Sequence, residues 1–109
     1  GVGAAIRATG GGIFSGANVE NASFPDGWCA ETSAIAAMIG DGASEIGEIC
    51  VAGPPGSETL PCGGCRQRLA EFAKPATPVH VRKKQGGWRT ITLGELLPEA
   101  FLLTKRKRK

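Results

Sequence analysis

Apolar and polar positions switch between a period of two and helical spacing along this chain. Val2 to Ala8 is a run of small and β-branched residues, Gly10-Gly11-Gly12 is a turn, and Ile13-Phe14-Ser15-Gly16 resumes the extended pattern. Two strands joined by so short a turn predict a hairpin. A polar loop, 18–27, leads to Cys29 and an Ala-rich helical run that reaches Ile39 and stops at Gly40. That run is apolar nearly all round, which places it between other elements. Ile46 to Ala52 contains four apolar residues in succession and predicts a central strand covered on both faces. A Pro- and Gly-rich loop delivers the chain to Pro61 and a second helix over 62–73, with Leu69, Phe72 and Ala73 as its apolar stripe. Val79–Arg82 and Trp88–Leu93 alternate as strands around Gln85-Gly86-Gly87, and 94–101 predicts a short helix and turn.

The predicted order is ββ-α-β-α-ββ-α. Helices between strands imply parallel crossovers in the middle of the sheet, with helices covering both faces. The last two strands must be antiparallel, because a parallel crossover needs a dozen or more residues. The expected class is α/β, a three-layer α-β-α sandwich on a mixed five-stranded sheet.

Length and charge narrow the picture. With 109 residues the chain suits one domain, expected over 1–104. The net charge of +3 misleads, because 105–109 alone carries +5 and leaves eight basic against ten acidic residues, a body of −2. The basicity is a tail, which reads first as a solvated end. No apolar run has membrane length, and the start does not read as a signal peptide. The composition is globular rather than that of a disulfide scaffold, so the four cysteines read as reduced or metal-bound, which suits the cytoplasm.

The chemistry gathers in Trp28-Cys29-Ala30-Glu31 and Pro61-Cys62-Gly63-Gly64-Cys65. A catalytic zinc takes three protein ligands and keeps a fourth position for water. Cys29, Cys62 and Cys65 supply three thiols, and Glu31 stands two residues past the first as a proton carrier, the spacing of the zinc deaminases. Residues three apart on a helix share a face, so Cys62 and Cys65 turn the same way. All three thiols are predicted near helix N-termini, where unpaired N–H groups favour thiolate and lower the pKa. A closed structural site would need a fourth ligand. Cys50 reads as a small core residue and His80 as a side chain on the opposite face of its strand.

These residues resemble the cytidine deaminase family in its homotetrameric, three-cysteine form. The resemblance rests on Asn18-Val19-Glu20-Asn21-Ala22-Ser23, Cys29-Ala30-Glu31, Pro61-Cys62-Gly63-Gly64-Cys65-Arg66-Gln67 and Glu95-Leu96-Leu97-Pro98 through Phe101, in the family's order. It implies one Zn²⁺ per subunit and hydrolytic deamination of cytidine or deoxycytidine, a reaction of pyrimidine salvage. Glu31 would carry the proton between water, the ring N3 and the departing amine. Asn18 and Glu20 would hold the ribose, Ala22 and Ala30 would read the base edge through their backbone, and Phe24 stands where the family often has Tyr. Phe101 would reach a neighbouring subunit's base, so active sites would be shared in a homotetramer. The resemblance also places a helix upstream of Gly1. One departure matters: three-cysteine members commonly carry Arg after Cys-Ala-Glu, and here Thr32 stands instead. Arg66, beside Cys65, is then expected to offset the excess charge of three thiolates on one zinc.

Two other readings compete. Blasticidin-type antibiotic deaminases share the cysteine blocks but not the Asn-x-Glu-Asn block, so Asn18 and Glu20 favour a free nucleoside. A non-catalytic zinc module binding nucleic acid through its tail leaves Glu31, Asn18 and Glu20 without a purpose. Nucleic-acid deaminases of this superfamily place a helix between the last two strands, and the Gln85-Gly86-Gly87 turn leaves no room for one.

Overall fold

The computed structural model describes residues 2–18, 29–54, 56 and 58–99. Five strands form one sheet in the order β2-β1-β3-β4-β5. Here β1 is Gly3–Ala8, β2 Ile13–Ala17, β3 Ile46–Ala52, β4 Pro78–Arg82 and β5 Trp88–Thr92. Helix α1 spans Ala30–Gly40, α2 spans Gly63–Phe72 and α3 is the single turn Leu93–Leu96. The predicted order and strand directions hold: β1 is antiparallel to β2 and β3, β3 and β4 are parallel, and β4 and β5 are antiparallel.

Register explains the core. Ile6 pairs with Ile49, and Ile49 pairs with Val79, so all three point to the same face of the sheet. That face carries Ala8, Val51 and Val81 as well, and it packs against Ala34, Ile35 and Met38 of α1 and Leu69 and Ala70 of α2 in one buried cluster. Leu69 is fully buried there, so truncating it to Ala would cost about 2–5 kcal/mol. Among the described residues both longer helices lie on this one face. No helix on the opposite face is found among the described residues.

Two local expectations need correction. Helix α1 is not enclosed all round: Ala36, Ala37 and Ile39 are exposed on the side away from the sheet. Its uniformly apolar composition hid the direction it faces. Cys50 is not a core residue either. It pairs in register with Ala5 and His80, on the opposite face from Ile49 and Val51, and is half-buried. His80 stands on that face as expected, 2.5 Å from Glu48 Oε2 and 2.8 Å from Thr90 Oγ1.

The short connections follow local chemistry. Gly86 and Gly87 both take positive φ in the β4–β5 turn, 92° and 79°, which side chains with a Cβ resist. The last turn is held by a capping box: the Glu95 N–H reaches Thr92 Oγ1, and the Thr92 N–H reaches Glu95 Oε1. The Thr-x-x-Glu spacing announces this cap, and it sets the start of α3 at Leu93 rather than Gly94.

Candidate metal centre

The N-termini of α1 and α2 meet at one corner of the fold. Cys29 is the N-cap of α1, Cys62 is the N-cap of α2, and Cys65 lies in the first turn of α2. Cys62 and Cys65 are brought together by the helix itself: the Cys65 N–H donates to Cys62 Sγ at 3.4 Å. Cys29 arrives on the other helix, with its sulfur 3.6 Å from that of Cys62.

Helix α1 is aimed by its contact with β2. A Cβ on Gly16 would stand 2.6 Å from Ala30 O, Ala34 N and Ser33 Cβ, so only glycine admits the helix this close. The Ser33 hydroxyl then donates to Ala17 O at 3.1 Å. These contacts fix the first turn, and with it Cys29 and Glu31.

The three sulfurs all lie within 4.8 Å of one another. Sulfurs at tetrahedral corners around zinc, with Zn–S of about 2.3 Å, stand roughly 3.8 Å apart. The cluster therefore fits a zinc ion with small adjustments. Neither Cys50 nor His80 belongs to it, and among the described residues no other Cys, His, Asp or Glu completes the group. Three thiols, with no fourth ligand among the described residues, match a zinc that acts on water better than a closed structural site.

The thiols do not all behave as their helix positions suggest. Cys62 is held below the usual thiol range, chiefly by the Cys65 backbone N–H. Cys65 is fully buried and its thiol is pushed up to about 12 by desolvation. Burial also raises Cys29. Only the exposed N-cap thiol gains from the helix N-terminus; for the other two, burial in the helix junction outweighs it.

Glu31 sits in the first turn of α1 with 4% of its surface exposed. Burial raises its carboxyl above the ordinary range, while its own backbone N–H and the Cys65 thiol oppose the rise. It is therefore a buried carboxyl near the sulfur cluster, where its charge opposes ionisation of Cys29 and Cys65. Ala30 beside it is buried as well.

The remaining expectations divide. Asn18 closes the β1–β2 edge: its Oδ1 accepts the Val2 N–H at 2.9 Å, and its own N–H reaches Val2 O. Glu20, Ala22, Phe24 and Phe101 lie outside the described residues, as does 105–109. Arg66 does not serve the sulfurs. Its Nε donates to Pro61 O at 2.7 Å and its Nη1 to Leu96 O at 3.0 Å, which ties the start of α2 to α3. The arginine that does approach a sulfur is Arg68, which sequence reasoning passed over, although three residues from Cys65 on a helix is one face.

Residues 1–81 match the family described as the cytidine and deoxycytidylate deaminase zinc-binding region. A cytidine deaminase of Halalkalibacterium halodurans is 39% identical over 100 residues, covering 92% of this chain and 76% of that protein. One from Sporosarcina psychrophila is 36% identical, covering 92% and 74%. The crystal structure of cytidine deaminase from Burkholderia pseudomallei superposes with a TM-score of 0.83 at 39% identity, covering 92% of this chain and 80% of that one.

Proposed function

The chain belongs to the cytidine and deoxycytidylate deaminase family, and from that membership we propose that it is a zinc-dependent hydrolase converting cytidine or deoxycytidine and water to the uracil nucleoside and ammonia. The observation that carries the reading is the placement of Cys29, Cys62 and Cys65 within 4.8 Å of one another, with buried Glu31 against Cys65.

The three sulfurs would hold one zinc ion, which when bound supplies the Lewis acidity that brings the ionisation of water towards neutral pH. The rest of the work belongs to side chains. Glu31 takes one proton from the attacking water and passes it to the pyrimidine N3, then takes the second proton from the new C4 hydroxyl and gives it to the N4 amine, so that C4=O forms as the C4–N4 bond breaks and ammonia leaves. A buried carboxyl whose pKa is raised can both take and return a proton near neutral pH, as such a shuttle requires. Neutral Asn and anionic Glu together donate to and accept from a sugar diol, which supports Asn18 and Glu20 as the ribose contacts. Backbone groups of Ala22 and Ala30, with Phe24, are proposed to line the base, and Phe101 to close the site of a neighbouring subunit in a homotetramer. A set of thiols that must stay reduced supports a role in cytoplasmic nucleoside salvage. Among the described residues no helix is long and apolar enough to cross a membrane.

The test is the loss of ultraviolet absorbance as cytidine becomes uridine, measured on zinc-loaded protein and on Glu31→Gln. Wild type should turn over, and Glu31→Gln should lose activity by at least about 10²-fold while still binding zinc. Activity on a blasticidin-type nucleoside but not on cytidine or deoxycytidine would reassign the substrate.

A further inference from the structure

Three thiolates around one Zn²⁺ leave a net negative charge, which lowers the ion's hold on further electron donors and strains its own ligand set. Something cationic near the sulfurs would offset it. Arg66, the neighbour of Cys65 in sequence, is occupied with the carbonyls of Pro61 and Leu96.

Arg68 is placed differently. Its Nη1 lies 3.9 Å from Cys65 Sγ and donates to Thr32 Oγ1 at 3.2 Å. Thr32 Oγ1 is in turn 3.6 Å from the same sulfur. The guanidinium, the hydroxyl and the sulfur thus form a closed triangle that bridges α2 and α1. The side chain folds back over the first turn of its own helix while remaining exposed to solvent. Its Nη1 sits 3.5 Å from where a Cβ on Gly64 would be, so Gly64 leaves it room.

We propose that Arg68, held over Cys65 by the Thr32 hydroxyl, is the cation that balances the thiolate zinc site of this chain. Thr32 is then a positioning residue: it turns the guanidinium towards the sulfur and shares its own hydroxyl with it. A guanidinium keeps its charge throughout the neutral range and offers several N–H donors in a fixed plane. It can therefore engage hydroxyl and thiolate at once. The inference rests on the zinc reading of the site.

The experiment is competition for zinc against a chromogenic chelator, with the ¹¹³Cd chemical shift of the cadmium-loaded protein as a second readout. Arg68→Gln should weaken zinc binding by about tenfold or more and move the cadmium resonance. Arg68→Lys should keep most of the affinity, and Thr32→Val should fall between the two. In the double variant Thr32→Arg, Arg68→Gln a guanidinium comes from the helix opposite, and zinc affinity should recover. Lys74→Gln removes a charge away from the cluster and should change neither readout. Should Arg68→Gln fail to fold, Thr32→Val asks the same question from the other side of the contact. Wild-type affinity and an unmoved resonance in Arg68→Gln or, failing that, in Thr32→Val would overturn the proposal while leaving the zinc site intact. A wild-type protein that binds no zinc would overturn both.

Discussion

At the scale of single residues, the metal corner is a contest between burial and helix polarity. Cys62 is exposed at an N-cap and keeps a low pKa, whereas Cys65 is pushed up to about 12 and Cys29 is raised. A metal must displace the protons that these thiols hold at neutral pH. Raised thiols are protonated in the metal-free protein, so each zinc bound releases protons, and affinity climbs as pH climbs. With Cys29 and Cys65 both protonated, at least two protons leave. Zinc affinity should therefore rise by about 10²-fold per pH unit between pH 6 and 8. Chelator competition across that range measures it. A flat profile would mean that the thiols are already ionised and that helix polarity, not burial, dominates.

At the scale of elements, what could be read from the sequence depended on whether the signal was local. Strand alternation, the glycine turns and the Cys-x-x-Cys spacing are local, and they predicted five strands, both longer helices and the three-thiol cluster. Which way α1 faces is not local. Its moment is spread by alanines on every side, so the exposed Ala36, Ala37 and Ile39 carried no warning. Likewise the half-buried Cys50 looks like a core residue until the register pairs it with His80. Arg66 and Arg68 differ in where the second helix presents them: Arg66 turns to the carbonyls of Pro61 and Leu96, and Arg68 reaches the Cys65 sulfur. Gly16 follows the extended pattern of its strand in sequence, yet it is where α1 rests on β2. Gly16→Ala should cost about 1–3 kcal/mol by overpacking this contact. Because the displaced turn carries Cys29 and Glu31, zinc affinity should fall with stability. Gly40→Ala, at a glycine whose Cβ would meet nothing within 4 Å, is the control. Denaturant melts of both variants, with zinc titrations alongside, check the pair.

At the scale of the whole molecule, the sheet and the metal divide the task of holding α1 and α2 in place. The buried cluster joins Ile6, Ile49, Val79 and Val81 to residues of both helices without any ion. That separates this fold from small zinc domains, whose cores are too slight to fold alone. The sulfurs add a second tie, at one end only, where α1 and α2 begin. Removing zinc should therefore loosen the corner without dissolving the sheet. A ligand bound only by the folded state at about 1,000 times its Kd stabilises by about 4 kcal/mol. For a chain of this length that is roughly 15 °C in Tm or more. Chelator-treated protein should keep its far-ultraviolet circular dichroism and still melt cooperatively, at a temperature lower by about that amount. Backbone amides of the first turns of α1 and α2 should exchange faster, while those of β3 and β4 should hold. If stripping zinc abolishes the cooperative transition altogether, the hydrophobic cluster is not self-sufficient, and the metal is part of what makes the chain fold.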